Sequence, residues 1–565
     1  MCGIAGILSR DPRPREWFEE QLGKMNEAQQ FRGPSGSGFW CDDRVGLGHV
    51  RLTLVGDRTR GHQPLSDESG AQLVFNGEIY EPDHVLHQMG LHLNPGESDA
   101  TAMHNLLARQ GPDGLDSVCG QFAACRYEPD KGRLTLVRDA FGQKPLYILR
   151  RTGLVYFAST VAALRAAVGK LEIRPEALTE YLVYRSVGGY RSAFQGVDQL
   201  PPGSWVVFDA EGNQRVGRWF CPPEPTRSRV CPDEVREQLD HAIRERLSSR
   251  FEQAIFLSGG LDSSLVAEGA SRLDREGTIR FYSVGYDTPG KEDERPLARR
   301  MAESLPWPHE EITLGAKDIP ALFDEVAFFT EDPIQDPVTL PTLLLTRAAA
   351  EQTRLVLTGD GSDEFWGGYD RFDRAPRTLE EYWPRTAIFT PQEVGLSEPP
   401  ASYREGIELP PAQWAPLDRI LRWEVSNRLR NYHLARIDKL SLAVGVEIRC
   451  PFLDRSVTRL AMSLPATLKR PEERTKGLLI DAYRDVLPAW LLQRKKQPFS
   501  MPIATWLGGP LRDFVRDTLS TDCLSRSLVQ VDPLLQQLDE GRDLHRVGHK
   551  MWSLLQLESW YRIWK

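Results

Sequence analysis

Ser258-Gly259-Gly260-Leu261-Asp262-Ser263-Ser264 follows the apolar run Ala254-Ile255-Phe256-Leu257 and precedes the helix-forming Leu265-Val266-Ala267. A short buried strand, a turn of glycines and small hydroxyl residues, and a helix start make an anion site, because the first N–H groups of a helix have no partner within it. Gly259 and Gly260 let the backbone approach a phosphate closely, and Ser258, Ser263 and Ser264 add donors. The lysine of a Walker A loop is missing, as is the spacing of a dinucleotide turn. Asp262 would repel phosphate unless a cation lay between them, which points to magnesium. An ordinary helix-capping turn is the competing reading of a three-residue match, and seven residues in order favour the phosphate cradle.

Around this loop the pattern alternates between helix and strand. Residues 233–249 carry Val235, Leu239, Ile243 and Leu247 four apart, an amphipathic helix with a capping residue at its start. Strands are expected at 279–285 and 354–358, and helices at 295–303 and 341–351. Such alternation implies a parallel sheet with ligands at the carboxyl ends of its strands. From about Leu417 onward the reading is mostly helical, with a stop at Pro451 and a basic run at Arg494-Lys495-Lys496. Upstream, residues 1 to about 160 read as short β segments at 3–8, 45–54, 72–79, 120–127, 133–138, 145–149 and 154–159, with a helix at 98–109 capped by Ser98 or Asp99. The Pro- and Gly-rich stretch around Pro222-Pro223-Glu224-Pro225 separates the halves, so the expected division is a domain over 1–210, a linker over 211–232 and a second domain over 233–565.

At 565 residues the chain exceeds one hydrophobic core. Its 70 basic and 79 acidic residues leave a net charge of −9, which gives no general attraction to nucleic acid or anionic membrane. A small-molecule substrate and a cytoplasmic location are expected, with no membrane span and no signal peptide in view. The eight cysteines are scattered without a CxxC pair, so most are expected as reduced, packed thiols.

Cys2 follows the initiator methionine, and its removal would leave a thiol nucleophile beside a free α-amine that can act as its base. The company of Cys2 is Arg32-Gly33-Pro34, Arg51-Leu52-Thr53-Leu54-Val55, Asn76-Gly77-Glu78-Ile79-Tyr80 and Ser98-Asp99. Here the sequence resembles the class II glutamine amidotransferases, N-terminal-nucleophile (Ntn) hydrolases with an αββα sandwich. The resemblance implies that Cys2 attacks the side-chain amide of glutamine and that Asn76 and the Gly77 N–H form the oxyanion hole. It also implies that Arg51, Leu52, Thr53, Leu54, Val55, Glu78 and Asp99 hold the glutamine, an arginine suiting its carboxylate and acids its ammonium. Two departures stand out: Phe31 and Ser35 flank Arg32-Gly33-Pro34 where the family has His and Asp, and Thr160 replaces a glutamate after Phe157-Ala158-Ser159.

The second half carries Leu357-Thr358-Gly359-Asp360-Gly361-Ser362-Asp363-Glu364, then Glu331-Asp332-Pro333 and Asp336 upstream, and Arg436-Ile437-Asp438-Lys439, Val446-Glu447-Ile448-Arg449 and Arg474-Thr475-Lys476-Gly477 downstream. In order and spacing these resemble the PP-loop synthetase domain of the asparagine synthetases. The implied fold is therefore an αββα domain followed by a parallel-sheet nucleotide-binding domain with a helical C-terminal part. The implied substrates are glutamine, ATP and a carboxylate acceptor, with Mg2+ as cofactor and a homodimer as the candidate assembly. By the same resemblance Asp262 and Asp363 hold the metal. Leu257, Ser258, Gly259, Gly260, Leu261, Asp262, Ser263, Ser264, Val284, Thr358 and Gly359 hold ATP, Lys476 neutralises pyrophosphate, and Glu447 with Asp360 handles protons at the acyl-adenylate. Aspartate is the simplest acceptor, and a different carboxylate from specialised metabolism is the alternative. Relatives that use the second domain alone, the β-lactam synthetases and lasso-peptide cyclases, are disfavoured by the retained Cys2, Asn76 and Asp99. A tRNA-thiolating enzyme is disfavoured by the acidic balance, and a non-catalytic regulatory homologue by the intact Cys2, Asp262, Asp363 and Lys476.

Overall fold

Every residue of β1 (Cys2–Ser9) is buried, because one face meets a second sheet and the other meets helices. The computed structural model describes residues 2–53, 61–94, 97–248, 252–273, 279–373, 376–401, 409–494, 496–497 and 499–565. They form two units: Met1–Glu172 with Tyr190–Pro222 and Leu442–Glu447, and Ile173–Gly189 with Pro223–Ser441 and Ile448–Lys565.

The first unit continues through β2 (Gly36–Cys41), β3 (Val45–Arg51), β4 (Leu65–Ser66), β5 (Gln72–Tyr80), β6 (Cys119–Glu128), β7 (Arg133–Arg138), β8 (Tyr147–Arg151), β9 (Leu154–Ala158), β10 (Val197–Gln199), β11 (Ser204–Phe208) and β12 (Gln214–Arg218). They build two six-stranded sheets, β10-β8-β9-β1-β3-β2 and β12-β11-β7-β6-β5-β4. Ile4, Leu8, Leu47 and Phe157 from one sheet pack against Val74, Leu134, Leu136 and Val206 from the other. The outer faces carry α1 (Arg15–Ala28), α2 (Pro82–His87), α3 (Asp99–Arg109) and α4 (Val161–Val168). α1 buries Phe18, Leu22 and Met25 at helical spacing. Gly46 of β3 makes room for them, since a Cβ there would lie 2.9 Å from Phe18 and 3.0 Å from Leu22. Helix, sheet, sheet, helix is the αββα order expected from the resemblance.

All seven β segments expected here are strands, with ends shifted by a few residues. Ser98 stands at the start of α3 without a capping bond, because the Asp99 carboxylate accepts the Ile79 N–H of β5 at 3.0 Å instead. Residues 211–232, expected as linker, contain β12, which pairs antiparallel with β11. That edge strand is almost wholly exposed, so its polar composition imitates a linker.

The second unit begins with α5 (Pro175–Tyr184) and α6 (Pro232–Arg246), whose Val235, Leu239 and Ile243 are buried. Pro232 opens α6 and leaves Asp233 inside the first turn rather than at the cap. Next come β13 (Gln253–Phe256), α7 (Leu261–Leu273), β14 (Ile279–Tyr286), α8 (Arg295–Ala302), β15 (His309–Leu314), α9 (Ile319–Thr330), α10 (Thr339–Ala350), β16 (Leu355–Leu357), α11 (Ser362–Trp366) and β17 (Glu447–Arg449). The sheet order is β15-β14-β13-β16-β17, with β14 parallel to β13 and β15, and β13 parallel to β16. Ile255 lies beside Leu357, so the loops that leave β13 and β16 emerge side by side. β15, absent from the sequence reading, is a charged edge strand, His309-Glu310-Glu311-Ile312-Thr313-Leu314.

Beyond the sheet, the helix Pro416–Trp423 runs into a wide segment, Glu424–Leu434, with i→i+5 bonding, and then into the helix Ala435–Leu442. The wide turn brings residues four and five apart onto one face, which carries Arg428, Tyr432 and His433 together. Among the described residues no helix is long and apolar enough to cross a membrane.

Candidate active sites

In the first unit, Cys2 opens β1 directly opposite Arg51 of β3. It is buried, and its N–H donates to Asn76 Oδ1 at 3.1 Å. Asn76, fully buried in β5, is held in turn by Ser159 Oγ, 3.5 Å from its Nδ2. Ser159 Oγ also accepts the Ile4 N–H at 3.0 Å, and Arg32 Nε donates to the Cys2 carbonyl at 3.3 Å. Arg32 and Ser159 thus fix the strand that presents the thiol; both lay in quoted motifs but received no role from sequence. Gly77 follows Asn76 in the antiparallel pairing of β5 with β6, opposite Phe122, and a Cβ there would lie 2.2 Å from the Gln121 carbonyl oxygen.

Asp99 is positioned by the Ile79 and Ala100 N–H groups at 3.0 and 3.1 Å. Burial pushes its carboxyl up to about 6, against those hydrogen bonds, with help from the charges of Glu447 and Cys2. Thr53 N–H donates to Ser35 Oγ at 3.1 Å, so one departure from the family pattern braces the Arg51-Leu52-Thr53 segment. Leu54 and Val55 lie outside the described residues. Thr160, the other departure, caps α4 by accepting the Ala163 N–H at 3.1 Å.

In the second unit the loops after β13 and β16 open into a cleft of about 710 Å³. Leu257, Ser258, Gly260, Leu261, Asp262 and Ser263 line it, as do Val284, Thr358, Gly359, Asp360, Asp363 and Lys476. The serines brace the cradle: Ser263 Oγ accepts the Ser258 N–H at 3.1 Å and lies 3.1 Å from Ser258 Oγ, which accepts the Gly260 N–H at 3.2 Å. Gly259 sits outside the lining with φ +70, where a Cβ would meet the Leu297 backbone at 2.5 Å. Ser264 is fully buried behind the loop.

At the junction of the two loops, Asp262 and Asp363 meet two ammonium groups. Lys476 Nζ touches Asp262 and lies 2.5 Å from Asp363, while Lys496 Nζ lies 2.8 Å from Asp363 and 3.4 Å from Asp262. Despite burial, the two lysines hold the Asp363 carboxyl far below the usual range, and the two aspartates hold the Lys496 ammonium above its own. Two carboxylates that touch one small cation can share another, and a pair of hard oxygen donors next to a phosphate cradle fits Mg2+. Lys496 was visible in the sequence only as part of a basic run. Gly368 closes this cluster: a Cβ there would lie 1.8 Å from Asp363 Oδ1 and 2.1 Å from Lys476 Cε. Gly368→Ala is therefore expected to push Asp363 and Lys476 out of their contact, and a lowered melting temperature of the variant checks this.

Asp360 lines the cleft and accepts from Arg436 Nη2 at 3.2 Å. Glu447 is fully buried and groups with the first unit, while its neighbour Ile448 lines the cleft.

Residues 234–562 match the model of the asparagine synthase family. The chain belongs to that family. Residues 1–220 match a glutamine amidotransferase domain, so the chain is an enzyme of the asparagine synthase family with an amidotransferase domain in front. It is 27% identical over 617 residues to the glutamine-hydrolysing asparagine synthetase 1 of Bacillus subtilis, covering 100% of this chain and 97% of that protein. A second family member, the glutamine-hydrolysing asparagine synthetase 3 of Bacillus subtilis, is 25% identical over 546 residues, covering 88% and 87%. An amidase of Gibberella zeae is 26% identical over 621 residues, covering 92% of each chain.

Proposed function

We propose that this enzyme takes nitrogen from glutamine at Cys2 and uses it to amidate a carboxylate that the second unit activates with ATP, releasing AMP and pyrophosphate. The observation that carries the reading is the junction of Asp262, Asp363, Lys476 and Lys496 beside the serine-glycine cradle, in a chain that also presents Cys2 against Asn76.

At the first site the Cys2 thiolate attacks the glutamine amide carbon, and its own α-amine, exposed by removal of the methionine, takes the thiol proton. Asn76 and the Gly77 N–H stabilise the oxyanion, the α-ammonium returns its proton to the amide nitrogen, which leaves as ammonia, and water hydrolyses the thioester to glutamate. Arg51 and Thr53 hold the glutamine carboxylate end, and Glu78 and Asp99 its ammonium. Asp99 must be ionised to do so. The free enzyme's kcat/KM for glutamine is therefore expected to fall as pH drops through about 6, and Asp99→Asn should abolish that limb while raising KM.

At the second site the acceptor carboxylate attacks the α-phosphorus of ATP and pyrophosphate departs. Asp262 and Asp363 would hold Mg2+, which supplies positive charge against the phosphate oxygens when bound. Lys476 and Lys496 add fixed cations at the same place. Ammonia then attacks the acyl carbon, AMP leaves, and Asp360, which lines the cleft, is the carboxylate assigned to the released proton. Aspartate is the first acceptor to test; similarity to a protein named an amidase keeps a different carboxylate as the second reading. A panel of acids scored by pyrophosphate release decides between them, and an enzyme inert toward every acid with both nitrogen sources would refute the reading.

A further inference from the structure

β5 turns a row of N–H groups to its outer edge, beside the glutaminase site. Among the described residues β4 pairs with β5 only at Gln72 and Leu73. Farther along, the Phe75 N–H donates to Gln63 Oε1 at 2.6 Å and the Ile79 N–H to Asp99 Oδ2 at 3.0 Å. Residues two apart in a strand turn their N–H groups to the same side, so the Gly77 N–H faces this edge between two that are taken. Its counterpart lies across β6. Gly77 stands opposite Phe122, whose N–H donates to Asp139 Oδ2 at 3.2 Å and whose carbonyl accepts the Asp139 N–H at 2.8 Å. With both backbone groups committed away from β5, Phe122 makes a non-hydrogen-bonded pair with Gly77, the closer of the two antiparallel spacings. A Cβ on Gly77 would accordingly lie 2.7 Å from Phe122 Cα.

Asp139 follows the end of β7 at Arg138, where the chain turns away and the Asp139 carbonyl accepts the Gly203 N–H at 2.7 Å. That carbonyl is spent elsewhere, so the Asp139 carboxylate takes its place at the Phe122 N–H. The same carboxylate, fully buried, accepts the N–H groups of Phe141, Gln143 and Lys144 at 3.1, 3.0 and 2.9 Å. These four hydrogen bonds oppose the burial, which pushes its pKa up. The Trp219 ring stacks on that of Phe122, centroids 5.9 Å apart, and its Nε1 donates to the Arg138 carbonyl at 3.0 Å. We infer that Asp139 is a positioning residue of the glutaminase: together with the Trp219 ring it fixes Phe122, and through Phe122 it aims the Gly77 N–H at the oxyanion. This rests on reading Gly77 as an oxyanion donor. The role asks for a carboxylate, because an asparagine would turn an NH2 group toward two of the four N–H donors.

The test sets glutamine hydrolysis by the full-length enzyme against a reaction of Cys2 that forms no oxyanion. In alkylation by iodoacetamide the thiolate displaces iodide, the S–C bond forming as the C–I bond breaks, and mass spectrometry of the N-terminal peptide follows it. In Asp139→Asn, kcat for glutamine should fall at least about tenfold, part of the roughly 10²-fold cost of removing an oxyanion donor. KM for glutamine and the rate of Cys2 alkylation should stay within about twofold of the wild type. Trp219→Leu, which withdraws the stacked ring and leaves the four hydrogen bonds, should show the same separation with a smaller fall, and it carries the test if Asp139→Asn melts below the assay temperature. Unchanged kcat, a loss confined to KM, or alkylation that falls in step with hydrolysis would overturn the assignment. Gly77→Ala distinguishes the two levels of the inference. A lowered kcat there beside an unaltered one in Asp139→Asn would remove Asp139 alone, whereas wild-type kcat in Gly77→Ala would refute the oxyanion reading and this assignment with it.

Discussion

Replacing Cys2 with alanine is expected to lower ammonia release from glutamine by at least about 10³-fold, the scale set by loss of a catalytic nucleophile, while amidation fed with ammonium salts continues near the wild-type rate. The change removes one sulfur from a buried position. The backbone contact that places it, Cys2 N–H to Asn76 Oδ1, survives the substitution. A folding defect would lower both activities together, whereas loss of the nucleophile separates them. Asn76→Ala should show the same separation with a smaller fall, on the order of 10²-fold, because an oxyanion donor goes but the nucleophile remains. The glutaminase and synthetase assays, run side by side on each variant, provide the check.

Lys476→Ala is expected to act on the other half, lowering acceptor-dependent pyrophosphate exchange by about 10²- to 10³-fold with glutamine hydrolysis retained. Lys476 is 2% exposed and touches both Asp262 and Asp363, so its loss also leaves two partly buried carboxylates facing Lys496 alone. Removing one partner of such a cluster is destabilising, and the melting temperature should fall. Structural and catalytic contributions are separable in the pair Lys476→Met with Asp262→Asn, which restores the charge balance. Stability should recover in that double variant and exchange should not, because the cation at the phosphates and a metal-binding carboxylate are both gone. Recovery of exchange along with stability would reduce Lys476 to a structural ion pair.

The stretch from Ala254 to Ala267 was legible because a buried parallel strand reads as a continuous apolar run and a phosphate turn needs glycine and serine in a fixed order. The same pattern at Leu355–Leu357 and Gly359–Asp363 placed the second loop, and the parallel pairing of Ile255 with Leu357 is what joins them. The charged edge strand at His309–Leu314 and the exposed strand at Gln214–Arg218 left no apolar signal. Thr160 read as a missing glutamate, yet it serves as the cap of the helix it precedes. Lys496, Arg185 and Arg428 come to the cleft through tertiary placement: Arg185 by a left-handed residue at a helix end, Arg428 by a wide helical turn. Arg428, Tyr432 and Arg436 fall four apart on one helical stripe, but a polar stripe reads from sequence as a solvated face, so nothing in the spacing marked it as a cleft wall.

The most direct test of the whole reading follows glutamine labelled with 15N in its side-chain amide through a single reaction mixture with ATP and the best acceptor. Transfer of the label to the product amide, with one AMP and one pyrophosphate formed per amide, is the predicted result. Unlabelled product, or label released as ammonia with no ATP consumed in the acceptor's presence, would contradict it.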